Sequence, residues 1–217
     1  MSSKTDQAYE ILFGRISNAE YMAHTFIDEK EIAEELGSSR TPVREAIIAR
    51  AKDGLLKILP KRGIMVQPFT YQNASDIFQV RKVIEPWLIT NYGPALTKEE
   101  LEREREYVIM ETSEDAPRRE RPGISLRHHP HSLLMDRCTN QYVRQILNDI
   151  EKQGKRIPNE RPVTMKYISI YGPEKIRENH FRLLDLMEQG DYAGAADAMV
   201  DHVNLAESEY MKYWFRP

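Results

Sequence analysis

The stretch IAEELGSSRTPVREAIIARAKDG, residues 32 to 54, constrains the fold more than any other part of the chain. Gly37 stands where a helix must stop, because a residue without a Cβ reaches the left-handed conformation that closes one. Ser38 and Ser39 then offer a fresh N-cap, and Pro42 fits the first turn of the next helix, where its missing N–H costs nothing. The preceding helix is short, about residues 29 to 36, with Asp28 or a neighbour as cap and acidic residues in its first turn. Two helices joined by a short, glycine-containing turn predict a helix-turn-helix.

Upstream, Ala8, Ile11, Leu12 and Ile16 recur at the spacing of one helix face and predict an amphipathic helix over residues 6 to 20. Downstream, LLKIL (55–59) and GIMVQ (63–67) read as two short strands joined by the turn PKRG. Together these elements predict a winged helix-turn-helix domain over residues 1–70. From Tyr71 onward no strand-like run persists, and helical periodicity predicts an all-α helical bundle over residues 71–217. Its helices are expected at 71–91, 98–112, 125–138, 140–153, 162–189 and 191–213, with Gly172-Pro173 a point where the fifth can kink and 113–125 a loop rich in proline and charge. The fold class expected is mainly α, in two domains.

The net charge of −3 argues only weakly against nucleic acid, because charge is not spread evenly. Residues 38 to 62 hold Arg40, Arg44, Arg50, Lys52, Lys57, Lys61 and Arg62 against Glu45 and Asp53 alone. In a winged helix-turn-helix the second helix of the motif enters the major groove, and arginine is the preferred partner of guanine O6 and N7. Arg40 and Arg44, four residues apart, share one face at the start of that helix. Ser39 and Thr41 can donate to phosphate, and Lys61, Arg62 and Gly63 at the wing tip can approach the backbone or a minor groove. Double-stranded DNA is therefore the expected partner.

Cys138 is the single cysteine, so an internal disulfide and a four-thiolate metal site are both excluded. No apolar run approaches the roughly 20 residues of a membrane span, and the N-terminus lacks a signal-peptide core. A cytoplasmic protein that does not engage a membrane is expected.

The helical region holds five of the six histidines, His24 being expected at the surface or at a helix cap. His128, His129 and His131 cluster, while His180 shares a helix face with Leu183, Leu184 and Met187, and His202 with Ala195, Ala198, Met199, Leu205 and Ala206. Both of the latter are expected to point inward. A lone inward histidine is commonly a hydrogen-bonded core residue, but converging imidazoles make a metal site with positions open to water or an acidic ligand. Periodicity leaves the two readings open.

The wording IAEELGSSRTPVREA…DGLL…PKRGIMV resembles the DNA-binding domain of GntR-type bacterial transcriptional regulators over about residues 8 to 67. The resemblance implies operator contacts from Lys30, Arg40, Thr41, Arg44 and Gly63. It departs at Arg50, where the family commonly has leucine; this side chain is expected to cover the core edge with its stem while its charge snorkels out, the alternative being that it faces DNA. The stretches VRKVIEPWL, HSLLMDRCTNQYVRQIL and ENHFRLLDLMEQGDYAGAADAMVDHV resemble the all-helical ligand-binding FCD domain of the FadR branch, with a VanR-like helix count. Many such domains bind a divalent metal, and residue matching implies His131, His180 and His202 as ligands, with zinc the expected ion. The family's aspartate, four residues before His131, is Arg127 in this chain, and a guanidinium cannot ligate. Arg81 matches an arginine that commonly faces the ligand cavity and forks onto a carboxylate, the alternative being an ion pair with Glu85 one turn on. Tyr107, Arg137 and Asn140 are further candidates for the effector pocket.

The function these features imply is that of a metabolite-responsive transcriptional regulator, a repressor that binds a palindromic operator as a homodimer and is released by a small carboxylate effector. The rival reading is a metal-dependent hydrolytic enzyme whose three histidines activate water. No carboxylate base stands at an obvious spacing for that chemistry, and it leaves the basic N-terminal region unexplained.

Overall fold

A computed structural model of the chain describes residues 2–17, 20–52, 54–113, 130–154 and 164–212. The N-terminal unit comprises α1 (Lys4–Ser17), β1 (Phe26–Ile27), α2 (Glu29–Glu35), α3 (Arg40–Lys52), β2 (Leu56–Leu59) and β3 (Gly63–Val66). Ala8, Leu12 and Ile16, spaced by four on α1, are buried against Val43, Ala46 and Ile47 of α3, and Ile32, Leu55, Leu56, Ile64 and Val66 close the core. Asp28 caps α2 by accepting from the Lys30 N–H at 2.8 Å, and Gly37, at φ 55°, turns the chain toward α3. Helix-turn-helix and hairpin thus match the sequence expectation.

One element was not expected. Phe26–Ile27 pairs antiparallel with Met65 and Ile64, so the wing is a three-stranded sheet in the order β1-β3-β2. Two residues are too few to show alternation, and the strand forms because β3 offers it an edge. His24, exposed as one of its two expected places allowed, precedes it at φ 68° and donates its N–H to the Val66 carbonyl.

Arg50 also departs from expectation. Its side chain neither snorkels out nor faces solvent, being 1% exposed, with Cζ 3.1 Å from the Tyr9 ring centroid and 4.5 Å from that of Phe13. Its Nη2 donates to the Tyr9 carbonyl at 3.0 Å. Aromatic faces on α1 thus take up a cation where the family commonly has leucine, and they bind α1 to α3.

The C-terminal unit comprises α4 (Tyr71–Tyr92), a 3-10 turn (Gly93–Ala95), α5 (Lys98–Glu111), α6 (Pro130–Arg137), α7 (Gln141–Gly154), α8 (Thr164–Glu188) and α9 (Tyr192–Lys212). Capping boxes start α4 at Thr70 with Asn73, and α5 at Thr97 with Glu100. α8 is a single helix across Gly172-Pro173, where a kink was allowed for. Residues 125–129, expected to begin the helix of His131, lie outside the described residues. α4 packs along α9, and α8 and α9 form a hairpin turned at Gly190, at φ 77°. The shared core includes Phe78, Leu88, Leu134, Leu183, Leu184, Met199 and Val203.

Four residues join the two units. Gln67 donates its N–H to the Leu55 carbonyl at 2.9 Å and its Nε2 to the Leu56 carbonyl at 3.3 Å, which ties it to the wing. Phe69 is buried in the helical core, and Thr70 already caps α4. Replacing Arg50 by alanine should destabilise the N-terminal unit by about 2–4 kcal/mol, from lost packing and cation–π contact. Arg50→Leu should cost less than half as much, since the core volume is refilled; urea unfolding of the two variants measures the difference.

Candidate functional site

Two groups of side chains carry chemistry, one on each unit. On the N-terminal unit Lys30, Ser39, Arg40, Thr41, Arg44, Lys61, Arg62 and Gly63 are all exposed. Arg40, Thr41 and Arg44 lie in the first turns of α3, whose inner face is held by Val43, Ala46 and Ile47. The turn between β2 and β3 is closed by the Arg62 N–H on the Leu59 carbonyl at 3.0 Å, with Pro60 first and Lys61 second in its centre. Lys61 has φ 62°, a conformation that favours glycine, and backbone strain of this kind is commonly kept where a side chain must be presented.

In the helical unit, His131 of α6, His180 of α8 and His202 of α9 converge. All three are buried, and one ligating nitrogen from each lies within 4.8 Å of the others. Ring centroids are 4.7 Å apart for His180 and His202, 5.3 Å for His131 and His202, and 6.2 Å for His131 and His180. Two imidazoles on one zinc sit about 3.4 Å apart, nitrogen to nitrogen, given zinc–nitrogen distances of about 2.0–2.1 Å. Small ring rotations close that difference. The donor set therefore fits a divalent ion of intermediate softness.

A fourth helix reaches the histidines. Arg81 and Glu85 lie on the inner stripe of α4 with Ala74, Ile77, Phe78, Leu88 and Ile89. Arg81 Nε donates to Glu85 Oε1 at 2.5 Å, and Glu85 Oε2 lies 2.7 Å from His131 Nδ1. Burial pushes the Glu85 carboxyl up, but the Arg81 guanidinium and the His131 ring outweigh it and hold the group well below the usual carboxylate range.

Arg81 was expected to face the ligand cavity, with the ion pair to Glu85 as the alternative; the structure shows that pair, and spacing had not linked Glu85 to a histidine. The available signal was that both charges share a helix face with five apolar residues, which marks them as buried. The other pocket candidates lie elsewhere. Tyr107 is half-buried on α5, and Arg137 is exposed and paired with Glu100. Asn140 caps α7, its Oδ1 accepting from the Tyr142 and Val143 N–H groups at 3.0 and 3.3 Å. Surface contacts, not an interior cavity, are where the structure puts Arg137 and Asn140. Arg127 and His128 lie outside the described residues.

Residues 4–66 match the family described as bacterial regulatory proteins, gntR family, and residues 76–205 match the FCD domain. The chain is a GntR-family transcriptional regulator with an FCD domain. This regulator is 26% identical over 215 residues to the HTH-type transcriptional regulator YdhC of Bacillus subtilis (strain 168), covering 95% of this chain and 90% of that one. It is 23% identical over 203 residues to the HTH-type transcriptional repressor RspR of Escherichia coli (strain K12), covering 93% and 87%. Its fold is similar to a GntR regulator from Rhodococcus sp. RHA1, with TM-score 0.72, 17% identity and 97% and 99% of the two chains covered. It is also similar to E. coli McbR/YncC, with TM-score 0.60, 19% identity and 99% and 100% covered. In this GntR-family chain the Arg81–Glu85 pair should behave as a unit. Arg81→Met alone should cost about 3–5 kcal/mol in urea unfolding, because it leaves a carboxylate buried, whereas Arg81→Met with Glu85→Leu should cost markedly less.

Proposed function

We propose that this regulator is a cytoplasmic homodimeric repressor that binds a palindromic operator and is released when a small organic carboxylate enters the helical domain. The observation that carries the reading is the convergence of His131, His180 and His202 inside a domain joined by four residues to an exposed basic recognition helix. RspR, similar along most of its length, is named a repressor. A single recognition helix per chain suits two-fold pairing on two half-sites.

The three histidines would hold a divalent metal, zinc first, and a metal so bound supplies positive charge and open positions to which an anionic effector can attach. Arg81 is shared with Glu85, so an effector carboxylate would meet that pair as a competitor at the same guanidinium. Release of DNA follows only if the effector favours one arrangement of the two units over the other, by about 1–3 kcal/mol of coupling. Membership of a regulator family weighs against the hydrolytic reading.

Fluorescence anisotropy on DNA upstream of the gene tests the basic face: Arg44→Ala should weaken specific binding by about 1–3 kcal/mol and relax base preference. Unchanged affinity would remove Arg44 from the contact set. His180→Ala with His202→Ala should abolish stoichiometric zinc while leaving the helical circular dichroism signal in place. A metabolite screen by thermal shift should find a carboxylate that adds about 2.7 kcal/mol of stability at 100 times its Kd.

A further inference from the structure

We infer that Glu85 is the positioning residue of the histidine centre: it accepts the Nδ1–H of His131 and so presents Nε2 of that ring to the metal, while Arg81 fixes the carboxylate in place. The inference rests on the metal reading above and assigns a role to a helix that supplies no ligand. Its basis is a division of labour within one carboxylate. Oε1 receives Arg81 Nε at 2.5 Å, whereas Oε2, 3.5 Å from Arg81 Nη2, stands 2.7 Å from His131 Nδ1.

The second contact is short but lies outside hydrogen-bond geometry, and a turn of the His131 ring is what would bring its N–H onto Oε2. A nitrogen lone pair and a carboxylate oxygen repel at 2.7 Å, which favours the tautomer with the proton on Nδ1. With Nδ1 carrying that proton, Nε2 is the atom left to ligate. Metal-bound histidines commonly donate their other N–H to a carboxylate, which fixes the tautomer and raises the basicity of the ligating nitrogen. Here the carboxylate and the guanidinium behind it are 2% and 3% exposed, so water does not compete for either. The pair is neutral in sum, and it orients the ring without adding net charge beside the ion. Arg81 also lies over the Phe78 ring at 5.5 Å, a cation–π contact that adds to its hold on the guanidinium.

The test uses the full chain, stripped with chelator and titrated with zinc against a chromogenic competitor, together with ¹⁵N-histidine NMR of the zinc-loaded protein. In the wild type His131 should carry its proton on Nδ1 and bind zinc through Nε2. Glu85→Leu should weaken zinc binding about 10–100-fold, and Glu85→Gln, which keeps an acceptor oxygen for the ring, should recover part of that loss. A wild-type spectrum with His131 bound through Nδ1 would overturn the assignment without any variant having to fold. So would zinc affinities of both variants within twofold of wild type. A wild type that binds no zinc would instead sink the metal reading, and this one with it.

Discussion

A carboxylate and a guanidinium buried in an apolar bundle fix how α4 sits. Either charge left alone in that interior costs several kcal/mol, so each is held to the other, and the carboxylate also to the His131 ring. Sliding or rotating α4 by a single residue would swing Glu85 by about 100° around the helix axis and strand it against hydrocarbon. The hydrophobic stripe of Ala74, Ile77, Phe78, Leu88 and Ile89 tolerates small slips far better than the ion pair does. Packing draws α4 onto α9, and the polar contact sets the register.

The N-terminal unit solves a related problem by other means. Arg50 is as buried as Arg81, but its surroundings on α1 are the faces of Tyr9 and Phe13. A ring quadrupole attracts a cation without demanding a partner of fixed length, so α1 can meet α3 over a broad contact. One unit therefore holds its buried cation with aromatic faces and the other with a carboxylate. Only the second arrangement extends to a group able to bind a ligand.

Most of the fold was legible because its signals are local. Gly37, Pro42 in the first turn of α3, the row Ala8, Leu12 and Ile16, and the wing turn each act within a few residues of themselves, and each is found in its expected place. β1 was not legible, since two residues become a strand only against an edge supplied 37 to 39 positions later by Ile64 and Met65. The histidine cluster was half legible. Spacing aimed His180 and His202 inward, but their meeting with His131 depends on how α6, α8 and α9 pack. Asn140 carried a local signal that pointed to a helix cap, since it directly precedes the apolar periodicity of α7. The pairing of Arg137 with Glu100 on another helix had none.

The joint between the two units has a mechanical consequence. Gln67 is bonded to the wing and Phe69 is lodged in the helical core, which leaves Pro68 as the residue between two clamps. Its ring locks φ near −65° and removes its N–H, so the backbone there keeps little freedom beyond ψ. A flexible tether would let the basic helices of a pair drift independently and search many spacings. A pivot with about one degree of freedom would act as a lever instead: in the proposed homodimer a rotation of α4 at its base would be carried to α3 with little slack, and the distance between the two recognition helices would become a property of the helical domains.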